Sequence, residues 1–155
     1  MILEVKLRLN SIIDTETLAK IIAEKAFKGM IVGLTGDLGS GKTTFTKFFS
    51  QAIGVKDNLN SPTFTILKIY EGNFALYHMD VYRLEAVGYD FELDDFIYGD
   101  GISVIEWYQY IKEMLPKNII SIDFKVIDEY ARDVIIKGEE EYEEIVKAIS
   151  NRYGN

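Results

Sequence analysis

The sequence predicts an α/β fold with a mixed parallel/antiparallel sheet flanked by helices. Short apolar runs typical of strands alternate with segments of helical period. A glycine-rich turn joins one of these strands directly to a helix, and two other strand-like runs are separated by only three residues. No repeat or linker divides the chain, so the sequence predicts a single domain over residues 1–155.

The first third of the chain is predicted to contain a strand, a helix and a second strand. Apolar and charged residues alternate over residues 3–9, as they do in a strand with one buried face. Asp14 or Thr15 can cap a helix over residues 16–26, in which apolar residues follow helical spacing. Residues 30–35, with the sequence MIVGLT, form a short apolar run typical of a buried strand.

The middle of the chain continues with a helix and an antiparallel hairpin. The helix follows the glycine-rich turn over residues 42–53 and ends at Gly54, because glycine is favoured just after helix C-termini. The β-rich runs at residues 63–70 and 74–79 are linked by the short turn EGN, which predicts the hairpin. An acidic segment over residues 91–97 is interpreted as helical or irregular.

The last third is predicted to supply the remaining strands and two helices. A short strand is expected at residues 102–105, followed by a short helix at residues 107–114. Two further strands are expected at residues 118–127 and 133–137. From Glu139 onward, acidic residues precede basic ones along an amphipathic helix, which is the order that the helix dipole favours.

Composition and charge exclude several classes of protein. Hydrophobic residues make up 48% and charged residues 27% of the chain, as in ordinary globular proteins. The chain has no cysteine, which excludes disulfides, and its single histidine, His78, is interpreted as a structural hydrogen-bonding residue. Without a membrane-length apolar run or a signal-peptide pattern, a cytoplasmic protein with no membrane contact is expected. The net charge of −8 is unfavourable for holding nucleic acid directly.

Residues 36–43, with the sequence GDLGSGKT, match the phosphate-binding (P-loop) pattern G-x-x-x-x-G-K-[S/T] and predict a P-loop NTPase domain. Glycines let the backbone wrap tightly and direct several N–H groups at phosphate oxygens, and the following helix adds its N-terminal dipole. Lys42 can bridge the β- and γ-phosphates, and the Thr43 hydroxyl can bind Mg²⁺. The predicted phosphate-binding residues are Gly36, Asp37, Leu38, Gly39, Ser40, Gly41, Lys42 and Thr43.

A P-loop enzyme needs a further carboxylate to position its metal ion, and two candidates end apolar strands. Asp80 follows the run at residues 74–79, and Glu106 follows the run at residues 102–105. Either can bind Mg²⁺, or Glu106 can orient the attacking water, and the sequence does not choose between these roles. Thr63, in the loop after the P-loop helix, can contact Mg²⁺ or the γ-phosphate.

Four motifs, in this order and spacing, resemble those of the TsaE (YjeE) family: GDLGSGKTT, SPTF at residues 61–64, HMDVYRL at residues 78–84 and IEW at residues 105–107. The resemblance extends from the N-terminal strand to about Arg132. Members of this family are small bacterial P-loop ATPases required for making threonylcarbamoyladenosine in tRNA. One departure is visible, because Tyr108 and Gln109 follow IEW where the family commonly has a small residue or proline and then an acid.

The resemblance implies that the protein binds ATP and Mg²⁺, hydrolyses ATP slowly alone and works with the TsaB–TsaD pair. In the family, TsaD transfers the threonylcarbamoyl group to the adenosine beside the anticodon, so tRNA is expected to be met only through these partners. The implied catalytic residues are Lys42, Glu106 and the switch residue Thr63. The implied metal-binding residues are Thr43, Asp80 and Glu106. The implied nucleotide contacts beyond the motif are Thr44, Ser11 and Arg132, with Trp107 near the nucleotide or a partner surface.

Other functions of a P-loop protein are weighed against this one. A small-molecule or nucleotide kinase would share the loop and the size, but such kinases usually bring lid arginines, and the arginines of this chain are scattered. A GTPase is disfavoured because no N-K-x-D run occurs. A nucleotide-dependent binding module, in which hydrolysis only resets the affinity for a partner, stays an alternative.

Overall fold

The structure, a computed structural model, describes residues 1–60 and 66–153. The strands are β1 Ile2–Leu9, β2 Ile31–Thr35, β3 Leu67–Glu71, β4 Ala75–Asp80, β5 Ile102–Glu106, β6 Ile120–Val126 and β7 Arg132–Glu139. The helices are α1 Ile12–Glu24, α2 Lys42–Ala52, α3 Leu84–Val87, α4 Asp94–Ile97 and α5 Glu143–Tyr153, with 3₁₀ segments at Phe91–Leu93, Tyr108–Met114 and Glu140–Tyr142. None of the helices within the two described ranges is long and apolar enough to cross a membrane.

The seven strands form one sheet in the order β1-β7-β6-β2-β5-β4-β3, and the sheet is mixed as predicted. The inner pairs β6–β2, β2–β5 and β5–β4 are parallel. β3 pairs antiparallel with β4, and β7 pairs antiparallel with both β6 and β1. Because the carboxyl ends of parallel strands meet at one edge, the residues that follow β2, β4 and β5 lie side by side there, and ligands bind at this edge in open α/β sheets.

Helices cover both faces of the sheet, and the alternation of side chains along β2 shows how. Val32 and Leu34 point into the larger core with Phe45 and Phe49 of α2, and α1 and α5 contribute to the same core. Ile31 points the other way, into a second core that includes residues of α3 and α4. Burial of each large apolar side chain contributes about 1.5–3 kcal/mol. The loop between β2 and α2 is therefore anchored at both ends in the core.

Helix α1 begins at Ile12 rather than at residue 16, and its N-cap is Ser11 rather than Asp14 or Thr15. The carbonyl oxygen of Ser11 accepts hydrogen bonds from the N–H groups of Asp14 and Thr15. Ile12 and Ile13 are 65% and 70% exposed. The apolar residues of this first turn therefore do not continue the buried face of the helix, which is the feature that periodic apolar spacing predicts.

Other segments also differ from their predictions. Helix α5 begins at Glu143 rather than at Glu139, which still belongs to β7. Residues 107–114 form the 3₁₀ segment Tyr108–Met114, which is interrupted by a non-helical residue, rather than a regular helix. Helix α3 has only four residues and was not predicted, because so short a helix has no detectable period. Strand β3 begins at Leu67, and residues 63–65 of the strand predicted there lie outside the described residues.

Candidate functional site

The glycine-rich loop connects the end of β2 to α2 in a conformation that requires glycine. Gly36 has φ +141°, and Gly41, the N-cap of α2, has φ +114°, both of which residues with side chains disfavour. A Cβ at Gly36 would lie 2.6 Å from Ser40 Oγ and 2.7 Å from the carbonyl oxygen of Phe124. The loop therefore packs closely over β6, and the first turn of α2 leaves N–H groups without helical acceptors beside it.

Gly36→Ala is expected to destabilise the fold much more than Gly39→Ala. Both glycines have positive φ (+141° and +79°), so alanine at either position incurs backbone strain of about 1–3 kcal/mol. Apart from the adjacent residues in the chain, no heavy atom of the described residues lies within 4 Å of a Cβ at Gly39. The overlap at Gly36, in contrast, adds roughly 1–3 kcal/mol. Thermal unfolding of both variants checks this, and equal melting temperatures would contradict tight packing at Gly36.

A cavity of about 590 Å³ opens at this edge of the sheet. It lies between the loop, the start of α2, the ends of β4 and β5, the start of α1 and the turn between β6 and β7. Its lining residues are Ser11, Ile12, Thr15, Leu38, Gly39, Ser40, Gly41, Lys42, Thr43, Thr44, Asp80, Glu106, Trp107, Glu129, Tyr130 and Arg132. The structure thus brings predicted residues from five separate segments to one cavity.

Two of the predicted residues in the described part of the chain do not line this cavity. Gly36 and Asp37 line a neighbouring cavity, together with residues of β6. The carbonyl oxygen of Gly36 nevertheless accepts a hydrogen bond from the Lys42 ammonium. Thr63 lies outside the described residues, so its role stays a prediction.

Lys42 brings a buried positive charge to the cavity. It is the first residue of α2 and is only 5% exposed. Its Nζ lies 3.9 Å from the ring centroid of Trp107, a cation–π contact, and donates a hydrogen bond to the carbonyl oxygen of Gly36. Burial lowers the pKa of the Lys42 ammonium, and nearby carboxylates, Glu106 the strongest, oppose this effect. The ammonium is therefore placed to stabilise negative charge in the cavity.

Asp80 and Glu106 are direct neighbours, because β4 and β5 are parallel and their register pairs these two C-terminal residues. Glu106 is 4% exposed, and its Oε2 lies 2.7 Å from Nε2 of His78. Asp80 is half-buried, and its Oδ1 accepts a hydrogen bond from the N–H of Tyr82 at 3.1 Å. Burial is the main cause that raises the pKa of the Asp80 carboxyl, and the charge of Glu106 raises it further. The two carboxylates thus share a wall of the cavity in different environments.

Trp107 lines the cavity with a left-handed backbone, φ +64°, which is uncommon for a bulky residue and costs about 1–2 kcal/mol. Packing holds this conformation, because the ring stacks on Tyr110 at a centroid distance of 5.8 Å and meets Tyr82 edge-on at 5.0 Å. The N–H of Trp107 also donates to the carbonyl oxygen of Leu34 at 2.9 Å. Backbone strain of this kind concentrates at functional sites.

Tyr108, at the position where the chain departs from the family pattern, packs against the backbone of β2. A Cβ at Gly33 would lie 2.7 Å from the Tyr108 ring, so the ring fits only because residue 33 is glycine. The tyrosine therefore fixes the segment after β5 against the central strand of the sheet.

Arg132 braces the glycine-rich loop from the start of β7. Its Nε donates to the carbonyl oxygen of Ser40 at 2.9 Å, and one terminal nitrogen donates to that of Gly39 at 3.4 Å. The other terminal nitrogen donates to the carbonyl oxygen of Asp128 at 2.7 Å. Arg132 therefore ties the turn between β6 and β7 to the loop, a contact that the sequence did not predict.

Four cavity residues were not predicted from the sequence. Ile12 and Thr15 belong to the first turn of α1, and Glu129 and Tyr130 belong to the turn between β6 and β7. No motif contains these residues, and they reach the cavity because β1 and β7 pair and place both segments at the same edge.

The oxygen donors at the cavity suit a hard cation. Within residues 1–60 and 66–153, no three side chains of His, Cys, Asp or Glu lie close enough to hold a metal ion by themselves. Thr43, Asp80 and Glu106 instead offer a hydroxyl and two carboxylates at one cavity. This donor set fits Mg²⁺, which usually keeps water and phosphate oxygens among its ligands.

Comparison with known proteins agrees with the motifs. The family described as threonylcarbamoyl adenosine biosynthesis protein TsaE matches residues 9–134. The tRNA threonylcarbamoyladenosine biosynthesis protein TsaE of Bacillus subtilis is 42% identical over 141 residues, which cover 90% of this chain and 83% of the relative. The protein of the same name from Treponema pallidum is 34% identical over 125 residues, which cover 79% of this chain and 93% of the relative.

The fold is similar to a solved structure over the whole chain. The crystal structure of Bacillus subtilis YdiB matches with a TM-score of 0.78 at 33% sequence identity, and the match covers 100% of this chain and 99% of that one. Sequence and fold therefore lead to the same conclusion as the four motifs: the chain belongs to the TsaE family.

Proposed function

We propose that this protein binds ATP with Mg²⁺ and hydrolyses it, and thereby supports the formation of threonylcarbamoyladenosine in tRNA. The observation that carries the proposal is the arrangement of Lys42, Asp80 and Glu106, in which a buried cation and two adjacent strand-end carboxylates line one cavity beside a glycine-rich loop. The cavity volume of about 590 Å³ is within the usual range for small-molecule sites.

The loop and α2 would bind the phosphates. The N–H groups of the loop and of the first helical turn supply hydrogen-bond donors at the positive end of the helix dipole. Lys42 adds a charge beside the β- and γ-phosphates. Ser11, Ile12 and Tyr130, which line the same cavity from α1 and the β6–β7 turn, would contact the nucleoside. Arg132 would keep the loop in its phosphate-binding shape.

The carboxylates would serve the hydrolytic step. Mg²⁺, when bound, supplies positive charge that stabilises the transferring phosphoryl group. Thr43 and one or both of Asp80 and Glu106 would hold this ion, and Glu106 would alternatively orient the attacking water. Lys42 would stabilise the charge that develops on the phosphate oxygens. Thr63 is proposed as a switch residue that responds to the γ-phosphate.

TsaB and TsaD are the proposed partners, and tRNA would be met only through them. The relatives carry the name of tRNA threonylcarbamoyladenosine biosynthesis proteins. A chain with a net charge of −8 has little electrostatic attraction for a phosphodiester backbone, so partners are the better candidates to hold the tRNA.

The geometry gives less support to the kinase alternative. Among the described residues, Arg132 is the arginine that lines the cavity, and its guanidinium is engaged by loop carbonyls. Arg8 pairs with Asp133 at 2.7 Å, away from the cavity. One observation favours the binding-module alternative. Contacts lead from Lys42 in the cavity through the ring of Trp107 to that of Tyr82, which is 54% exposed, and so connect the cavity with the protein surface.

The proposal is tested by ATP hydrolysis with and without TsaB and TsaD, with Lys42→Ala as the blank. We expect slow turnover by the protein alone, stimulation by the pair of at least about tenfold, and neither in the variant. Unstimulated turnover with an active pair would contradict the role in tRNA modification. Nucleotide-dependent binding to the pair without hydrolysis would support the binding module instead.

A further inference from the structure

His78 is a wholly buried polar residue whose imidazole ring makes one hydrogen bond within the described residues, to a carboxylate at the cavity. It is 0% exposed on β4, and its Nε2 lies 2.7 Å from Oε2 of Glu106. Its Nδ1 has no hydrogen-bond partner among the described residues. Burial of an imidazole with one unsatisfied nitrogen is unfavourable, so an apolar residue would suit the core better unless the contact with Glu106 is useful.

Strand register explains how His78 reaches Glu106. β4 and β5 are parallel, with His78 opposite Val104 and Asp80 opposite Glu106. His78 therefore contacts its partner diagonally, from two residues earlier, and approaches the carboxylate from within the core while Glu106 itself lines the cavity. Because an ionised carboxylate can only accept hydrogen bonds, we assign the ring proton to Nε2.

We propose that His78 is a positioning residue that fixes the Glu106 carboxylate in the orientation needed to bind a divalent cation or to orient water. A glutamate side chain has several rotatable bonds, and one hydrogen bond from a rigid, buried ring removes most of that freedom. The role rests on the proposed nucleotide site. The sequence alone indicates a structural hydrogen-bonding residue at His78, and the positioning role is a more specific function for it.

The test compares His78→Leu with His78→Gln. Leucine fills the space without a donor, whereas the amide nitrogen of glutamine can replace Nε2. The first readout is the factor by which Mg²⁺ tightens ADP binding, that is, the ADP dissociation constant without Mg²⁺ divided by the one with Mg²⁺. Both constants are measured through the fluorescence of the single tryptophan. We expect His78→Leu to reduce this ratio by about 10–100-fold with little change in Mg²⁺-free binding, and His78→Gln to restore most of it. His78→Leu should also lower kcat of ATP hydrolysis much more than it changes KM, and His78→Gln should restore most of kcat.

Leu76→Ala is the matched control, because Leu76 is also 0% exposed on β4 but belongs to the apolar core. It should lower the melting temperature and leave the Mg²⁺ dependence unchanged. The double variant His78→Leu/Glu106→Gln should be no worse than Glu106→Gln alone. Unchanged Mg²⁺ dependence in His78→Leu, or no rescue by His78→Gln, would overturn the positioning role alone. Wild-type protein that binds no Mg²⁺–nucleotide would overturn the proposed function, and this role with it.

Discussion

Lys42→Ala is expected to weaken nucleotide binding strongly while the fold stays intact. Hydrogen bonds to charged groups are worth about 1.5–3 kcal/mol each, and an ammonium between two phosphates makes at least two of them. Because 1.4 kcal/mol corresponds to a factor of ten, the affinity for ATP should fall by roughly 10²–10⁴-fold. Titration of ATP followed by calorimetry measures this directly.

The same substitution should change stability only modestly. The pKa of the Lys42 ammonium is lowered by burial, so the folded state carries a desolvation cost for this charge that alanine removes. The cation–π contact with Trp107, worth about 0.5–2 kcal/mol, is lost at the same time, so the two effects oppose each other. Lys47→Ala, at an exposed lysine of the same helix, is the control and should affect neither property. Tight ATP binding by Lys42→Ala would refute the assignment of the phosphate-binding loop.

Features encoded within a short stretch of chain could be predicted from the sequence. The glycine-rich loop is such a feature, because its glycines, its lysine and the flanking strand and helix all lie within residues 30–53. Asp80 and Glu106 were found for the same reason, since each ends an apolar run. That they are neighbours follows from the parallel register of β4 and β5, which no local pattern contains.

Features that depend on long-range packing could not be predicted. Trp107 has positive φ because ring contacts and the bond to Leu34 hold it, and nothing in its local sequence requires that conformation. Arg132 contacts two loop residues, Ser40 and Gly39, from which it is separated by 92 and 93 positions in the sequence. The contact exists only because the turn before β7 reaches the same edge of the sheet. The hydrogen bond between His78 and Glu106 is likewise a product of strand order.

Glu106→Gln is expected to slow ATP hydrolysis much more than Asp80→Asn. Glu106 is almost fully buried, is fixed by His78 and is the carboxylate with the strongest effect on Lys42. Loss of a preorganised charged group of this kind costs about 10²–10³-fold in turnover. Asp80 is half-buried, and its removal should cost about tenfold, mainly through a weaker Mg²⁺ dependence. Single-turnover hydrolysis over a range of Mg²⁺ concentrations separates the two, and identical defects would mean that the carboxylates act as one unit.

Stability as a function of pH tests the buried environment of Asp80 without any nucleotide. Because burial raises the pKa of Asp80 above its ordinary value, the folded protein holds the Asp80 proton more tightly than the unfolded chain. The contribution of Asp80 to the free energy of unfolding is therefore highest at low pH, and it falls as pH rises through the interval from 3.8 to the raised pKa. Asp80→Asn should remove this slope and melt at a higher temperature than wild type at neutral pH. A lower melting temperature would show instead that the ionised Asp80, bonded to the N–H of Tyr82, stabilises the end of β4.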